Sequence, residues 1–209
     1  MSTVDDSDGR RADLVRELTP GVPVCRGALS DVREAHALLA IGPLTNVARL
    51  VAAGYRPPRL AFMGGALRPV RHRGEVMTIE HNFGGDPGAA ASVVGHGRAL
   101  ICPLDVTSRM VLGAQEKERL AAADPRLVPH FRDWDERRGG APLCLHDPLA
   151  LLALLGEPLV RIEILTLIVE THGRLVESHG GGQHEVVVDV DVAAAKARIL
   201  ALVDERVGP

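Results

Sequence analysis

Aromatic side chains are nearly missing: one Trp, one Tyr and three Phe among 209 residues. Proteins that hold single-stranded nucleic acid stack bases on aromatic platforms, and this chain has too few to build one. A basic block is missing too. The net charge is −3, and lysine occurs only at Lys117 and Lys196. Neutralising phosphates takes clustered cations, so nucleic acid is not an expected partner. Cysteine is sparse: Cys25, Cys102 and Cys144 are far apart and form no CxxC pair. Neither a zinc site nor a disulfide framework is indicated, and three thiols suit a reducing cytoplasm. Long apolar runs are also lacking. No stretch of about 18 apolar residues exists to span a membrane, and the acidic, polar Met1–Arg11 does not read as a signal peptide.

What is present is a foldable composition. At 46% hydrophobic and 24% charged residues, the chain can bury a sizeable core. Its length suits one α/β domain over residues 1–209, with 1–10 as a flexible tail. Ala12–Leu18 reads as a short helix and Val22–Cys25 as a short strand whose proline suits an edge. His36–Ile41 and Arg59–Met63 read as buried strands, separated by a helix over Val47–Ala53 that Thr45 or Asn46 can cap. Pro69–Thr78 reads as a basic loop. Asp86-Pro87 opens an alanine-rich helix to Val94, with the proline where its missing N–H costs nothing. Ala99–Leu104 is a further buried strand. Helices follow at Leu112–Ala123, Val128–Arg138 and Leu149–Leu155. A strand over Arg161–Glu170, another over Glu185–Asp191 and a helix over Val192–Val203 close the chain. Strands alternating with helices predict an open, mostly parallel sheet with helices on both faces.

Three polar groups share one layout: Gly42-Pro43-Leu44-Thr45-Asn46, Glu80-His81-Asn82 and His146-Asp147-Pro148. Each follows an apolar run, so in a parallel sheet all three meet at the crevice beyond the strands' carboxyl ends, where ligands bind. The set is rich in oxygen. Asp147 and a backbone carbonyl near Thr45 suit a hard cation such as Ca²⁺. Glu80 and Asn82 suit the vicinal hydroxyls of a sugar. His146 is placed to act as a general acid, or to orient Asp147. Each residue also has a plain structural reading. Asp147, Thr45 and Asp86 are all helix-capping types, Glu80 and Asn82 can serve only to hold a loop, and Trp134 can pack a core or face a base. His179 and His184, beside Gly180-Gly181-Gly182, read as solvated loop residues, and Asp105 and Thr107 as structural strand-end residues.

The motifs together carry a resemblance. Ala40-Ile41-Gly42-Pro43-Leu44-Thr45-Asn46-Val47-Ala48, Phe62-Met63-Gly64-Gly65, Glu80-His81-Asn82 with Asp86-Pro87-Gly88-Ala89-Ala90, Leu104-Asp105-Val106-Thr107, and His146-Asp147-Pro148-Leu149-Ala150 stand in the order and spacing of the inosine-uridine-preferring nucleoside hydrolases. From about residue 36 onward the chain resembles that family. The resemblance implies a nucleoside hydrolase-like fold and hydrolysis of ribonucleosides to ribose and free base, with one Ca²⁺ in the site. It implies Asp147 as a calcium ligand, Thr45 as a ligand through its carbonyl, Glu80 and Asn82 on the ribose, and His146 beside the departing base.

The departures carry a second expectation. The family's opening D-x-D-x-x-x-D-D motif has no counterpart. Val4-Asp5-Asp6-Ser7-Asp8-Gly9 follows no apolar run, so no role passes to its aspartates. Residues 12–28 resemble a later family segment, and a further deletion is expected over Ser30–Glu34. The chain therefore reads as a member lacking the first βα unit. Such a sheet would expose edges that oligomerisation would relieve. Arg73-Gly74-Glu75 stands where the family has a ribose-binding Asn, leaving open whether Glu75 replaces it, and His81 stands where Phe is common. Two functions follow as expectations: a ribonucleoside hydrolase, or a non-catalytic remnant that binds ribose or nucleoside weakly or serves as an interaction protein. A nucleotide-binding Rossmann domain is disfavoured, because no G-x-G-x-x-G follows a strand.

Overall fold

A computed structural model describes residues 35–72, 75–139 and 141–207. In chain order the elements are β1 (Leu38–Ala40), α1 (Thr45–Ala52), β2 (Leu60–Met63), β3 (Val70–His72), β4 (Glu75–Met77), α2 (His81–Gly85), α3 (Pro87–His96), β5 (Leu100–Cys102) and α4 (Leu104–Thr107). Then come α5 (Ala114–Ala123), α6 (Leu127–Arg138), α7 (His146–Leu154), β6 (Val160–Val169), a 3₁₀ turn (Thr171–Gly173), β7 (Leu175–Glu177), β8 (Gly182–Val190) and α8 (Val192–Val207).

The main sheet runs β1-β2-β5-β8-β6-β7. The first four strands in that order pair in parallel, and β6 and β7 add antiparallel strands. The sheet is thus open and mostly parallel, as the strand–helix alternation predicts. The inner strands are short unbroken apolar runs, LAFM and LIC, with every residue buried. That is the composition of strands covered on both faces. Alternation sorts them into two cores. Ala61, Met63, Leu100, Cys102 and Val187 face α4, α7 and α8. Leu60, Phe62, Ile101 and Val186 face α1 and α3. Fully burying a side chain such as Ile101 stabilises by roughly 1.5–3 kcal/mol.

The helices end where local chemistry stops them. Gly54 adopts φ +83°, its N–H donates to Val51 O at 3.0 Å, and Tyr55 N–H donates to Leu50 O at 3.0 Å. This paired closure is how a left-handed glycine terminates a helix. Asp86 caps α3 by accepting from Ala89 N–H at 3.0 Å, with Pro87 in the first turn.

Several expectations need correction. Pro69–Thr78 contains an antiparallel hairpin, β3 with β4, where a loop is expected from the absence of an apolar pattern. Its strands are three residues each and lie outside the main sheet. Leu104 does not end a strand; it begins α4. Neither Thr45 nor Asn46 caps α1, because the cap position is Leu44 and no side chain bonds there. His184 is not a solvated loop residue. It lies in β8 with no solvent exposure, where Nε2–H donates to Val94 O at 3.1 Å and Nδ1 accepts from Ala99 N–H at 3.3 Å. Among the described residues the sheet's outer strands, β1 and β7, are three residues long. Short outer strands leave little unpaired backbone for another chain to join. The readings made for residues 1–34, including the tail, the first helix and strand, and the aspartate-rich stretch, lie outside the described residues, as do Arg73 and Gly74.

Candidate active site

Residues after β2, β5 and β1 meet beyond the carboxyl ends of the parallel strands. The first component is the glycine turn after β2. Gly64 N–H donates to Cys102 O at 3.2 Å, and Leu104 N–H donates to Gly65 O at 2.8 Å. These bonds lace the turn to the end of β5. Gly65 has φ +73°, and a Cβ there would stand 2.7 Å from the Leu175 side chain. Glycine is required at this position both for the backbone angle and for the space.

Glu80 is built on that turn. It is 3% exposed and sits at the cap position of α2. Its carboxylate accepts from Asn82 N–H at 2.8 Å, Phe83 N–H at 3.1 Å and Gly65 N–H at 3.1 Å. Burial pushes its pKa above the usual carboxylate value, and the three amides act against that shift. A carboxylate has about four acceptor positions, so one remains for a ligand hydroxyl. Asn82 is buried, and its Nδ2 donates to Met63 O at 3.0 Å. Because the NH₂ must face that carbonyl, Oδ1 is the amide atom left to accept elsewhere. Phe83 packs beneath against Phe62, with ring centroids 5.8 Å apart. His81 and Glu75 are exposed.

The second component arrives from distant sequence. Leu112 N–H donates to Leu143 O at 2.8 Å, Leu145 N–H donates to Met110 O at 2.9 Å, and Val111 bridges Cys144. These contacts set the start of α7 against the segment that follows α4. The motif His146-Asp147-Pro148 therefore begins a helix after an isolated bridge and does not follow a strand of the main sheet. His146 Nδ1 lies 2.8 Å from Thr107 Oγ1. Burial, and then the charge of Glu80, push the Asp147 carboxyl up to about 6. Glu80 carries its charge on three amides, while Asp147 bears the unfavourable effect of the pair. The structure thus brings Glu80 and Asp147 together. It sends the Thr45 hydroxyl to Asp86, where it donates to Oδ2 at 2.6 Å. As the first residue of α1, Thr45 has a carbonyl within the helical bonding pattern, with a lone pair remaining.

Asp147 and the Thr45 carbonyl are the right kind of donor for a hard cation. Calcium takes about six to eight oxygens, and among the described residues no group of three or more His, Cys, Asp or Glu side chains is arranged to hold a metal ion. Those residues fit calcium in kind and supply only part of its shell.

Two residues given only a structural reading from sequence prove to organise the site. Thr107, fully buried, holds His146, and Asp105 accepts from Leu67 N–H at 2.9 Å. Both stand in the Leu104-Asp105-Val106-Thr107 motif, which was the available signal. Trp134 Nε1–H donates to Ala141 O at 2.9 Å, tying α6 to the segment leading into α7.

The inosine-uridine preferring nucleoside hydrolase family model matches residues 14–197. The non-specific ribonucleoside hydrolase RihC of Salmonella schwarzengrund is 31% identical over 186 residues, covering 83% of this chain and 58% of the relative. RihC of Klebsiella pneumoniae is 31% identical over 227 aligned residues, covering 97% of this chain and 71% of the relative. Among solved structures, the inosine-uridine preferring nucleoside hydrolase of Bacillus anthracis superposes with a TM-score of 0.64 at 27% identity. That match covers 81% of this chain and 60% of the other. A purine-preferring ribonucleoside hydrolase from Gardnerella vaginalis, 22% identical with a TM-score of 0.67, shares the fold over 82% of this chain and 61% of its own. This chain therefore spans about three fifths of the length of several proteins it matches. Motif order, sheet topology and a match over most of the chain agree: it belongs to the inosine-uridine preferring nucleoside hydrolase family.

Proposed function

We propose that this chain is a ribonucleoside hydrolase, cleaving the N-glycosidic bond with water to give ribose and free base. The observation that supports the reading is the charge coupling of Glu80 to Asp147, two residues in motifs that resemble the family's. Glu80 binds a ribose hydroxyl with the acceptor position its three amides leave unused. Asn82 accepts from a neighbouring hydroxyl through Oδ1. Asp147, with the Thr45 carbonyl, holds the cation, for which we propose Ca²⁺; the family is metal-dependent. When bound, such an ion lowers the pKa of its water and polarises the oxygens it touches. A divalent cation beside Asp147 and Glu80 would be the opposite charge that favours their ionised forms. His146 gives a proton to the departing base. Base release supplies salvage chemistry in the cytoplasm, where free thiols such as those of Cys102 and Cys144 are at home.

A second reading is supported by the incomplete cation shell among the described residues. In it the chain is a non-catalytic remnant of the fold that binds nucleoside or ribose. One experiment separates the two. Free-base release from inosine, uridine and adenosine is measured with added Ca²⁺, with Asp147→Ala as control. The hydrolase reading expects release that the substitution abolishes. No release, together with no calcium-dependent rise in melting temperature, overturns it.

A further inference from the structure

The strand β6 is ten residues long, but its two neighbours cover it unequally. On one side β8 pairs with Val160 through Leu167. On the other, β7 pairs only with Leu167, Ile168 and Val169, and Ser178 N–H adds a bond to Thr166 O at 2.9 Å. Among the described residues nothing pairs with the outer edge of β6 before Thr166. Backbone groups alternate in direction along an antiparallel strand. Since the Thr166 carbonyl points outward to Ser178, the N–H and C=O of Ile164 and Ile162 point outward as well. Arg161, Ile162, Glu163 and Ile164 are all exposed, Ile162 at 39% and Ile164 at 50%. Val160, on the same face as the two isoleucines, packs on the core under α7 and α8, so the two isoleucines prolong an apolar surface that is otherwise buried. The segment has neither the lysine nor the proline that commonly guards an edge.

We infer that the open half of β6 is a self-complementary interface, on which a second copy of this chain pairs antiparallel about a two-fold axis at Ile162. The charges select both the partner and the register. Arg161 and Glu163 lie on one face of the strand and form an ion pair within the chain. With the axis at Ile162, Arg161 stands opposite Glu163 of the second copy, and Glu163 opposite its Arg161. On the other face Ile162 meets Ile162, and Val160 meets Ile164. The outward groups of Ile162 then bond to those of its own copy, as a hydrogen-bonded antiparallel pair requires. Other two-fold registers fail. An axis at Arg161 or Glu163 sets like charges directly opposite, which is destabilising. An axis at Ile164 sets Arg161 opposite Leu167, whose outer side β7 already occupies. An axis at Val160 runs off the start of the strand. The same patch thus serves on both subunits, the arrangement a two-fold dimer needs.

The test is sedimentation and native mass spectrometry of the full chain and two charge reversals. The wild type is expected at twice the 22.3 kDa chain mass. Arg161→Glu places Glu opposite Glu163 of the second copy, and Glu163→Arg places Arg opposite Arg161. Each variant alone is expected to fall to the mass of one chain. Mixed in equal amounts, the two variants face each other with opposite charges at both positions and are expected to regain the doubled mass. Because they differ in mass, the spectrum shows whether the restored dimer holds one of each. Inside each variant chain the charges remain alike on mixing, so recovery reports the contact between chains and not a repaired fold. A wild type that sediments as one chain at every concentration overturns the inference. So does a dimer that survives either single reversal, which places the contact elsewhere, or a mixture that stays monomeric, which excludes this register.

Discussion

The hydroxyl of Thr45 donates to Asp86 at 2.6 Å, joining residues 41 positions apart. The other oxygen of the same carboxylate caps α3 through Ala89 N–H at 3.0 Å. A single side chain thus starts one helix and clasps the start of another. The Thr45 hydroxyl, and then the Ala89 amide, hold the Asp86 carboxyl below its ordinary range. Thr45→Val and Asp86→Ala are each expected to cost about 1–2 kcal/mol of stability, mostly through the lost cap in the second case. Because they share a bond, the double substitution is expected to cost less than the sum. Urea unfolding of the four proteins measures the coupling, and strict additivity would show that the bond contributes nothing.

Gly65 links the sheet to the site. Its φ of +73° and the 2.7 Å approach of Leu175 leave no place for a side chain. Gly65→Ala is expected to destabilise by about 2 kcal/mol, combining a left-handed penalty with displacement of Leu175. It should also loosen the amide that donates to Glu80. Thermal melting checks the first effect. An unchanged melting temperature would refute it.

Asp147 is expected to stabilise the protein when replaced. Its carboxyl is pushed up to about 6 from an ordinary 3.8. The folded state therefore binds the proton more tightly than the unfolded one. The associated stability is full below 3.8 and is lost as pH rises through about 6, so at neutral pH the ionised group is a liability. Asp147→Asn, in chelator-treated protein at neutral pH, is expected to gain about 1–2 kcal/mol. The gain should shrink as pH falls toward 3.8. Added Ca²⁺ should stabilise the wild type and not the variant. A variant less stable than chelated wild type at neutral pH contradicts this account.

His184 sets an acid limit. Burial lowers its pKa from the ordinary 6.5, although the Val94 carbonyl partly offsets this. Its neutral form is also required by geometry, since Nδ1 accepts from Ala99 N–H. Above 6.5 the group is neutral folded and unfolded and has no effect. As pH falls below 6.5 the unfolded chain takes a proton that the folded chain refuses, and stability declines down to the folded-state pKa. His184→Gln is expected to start from lower stability and to show a shallower decline over that window. Parallel slopes in pH-dependent denaturation would rule His184 out as the cause.

Much of this was legible in the residues. Asp86-Pro87 announced α3 because cap and first-turn chemistry is local. LAFM and LIC announced buried strands because continuous apolar runs fit few other places. The hairpin β3–β4 was missed because Val76, at 59% exposed, gives it little burial pattern to read. His184 was misread because three glycines precede it. Yet a period of two runs back from Val188 through Val186 to His184, and all three side chains lie on one face of β8. Nothing local, by contrast, could pair Thr107 with His146, and the approach of Glu80 to Asp147 is expected only from the parallel-sheet layout and the family resemblance. Those relations exist only once the bridge between Val111 and Cys144 has folded α7 back toward the sheet.

The 3₁₀ turn between β6 and β7 comes so close to α2 that a Cβ on Gly173 would stand 2.6 Å from Phe83 O. Leu175, just after it, occupies the space beside Gly65. Glu80, Asn82 and the glycine turn belong to the early half of the chain, but the material that clamps them belongs to its last fifth. Emerging from a ribosome, Glu80 and its glycine turn must wait for the closing hairpin to be synthesised before their geometry can set. Such distant contacts are slow to close. The packing around Glu80 and its glycine turn thus depends on residues translated much later, and a nascent chain stalled before β7 would carry the Glu80 motif without the contacts of Gly173 and Leu175.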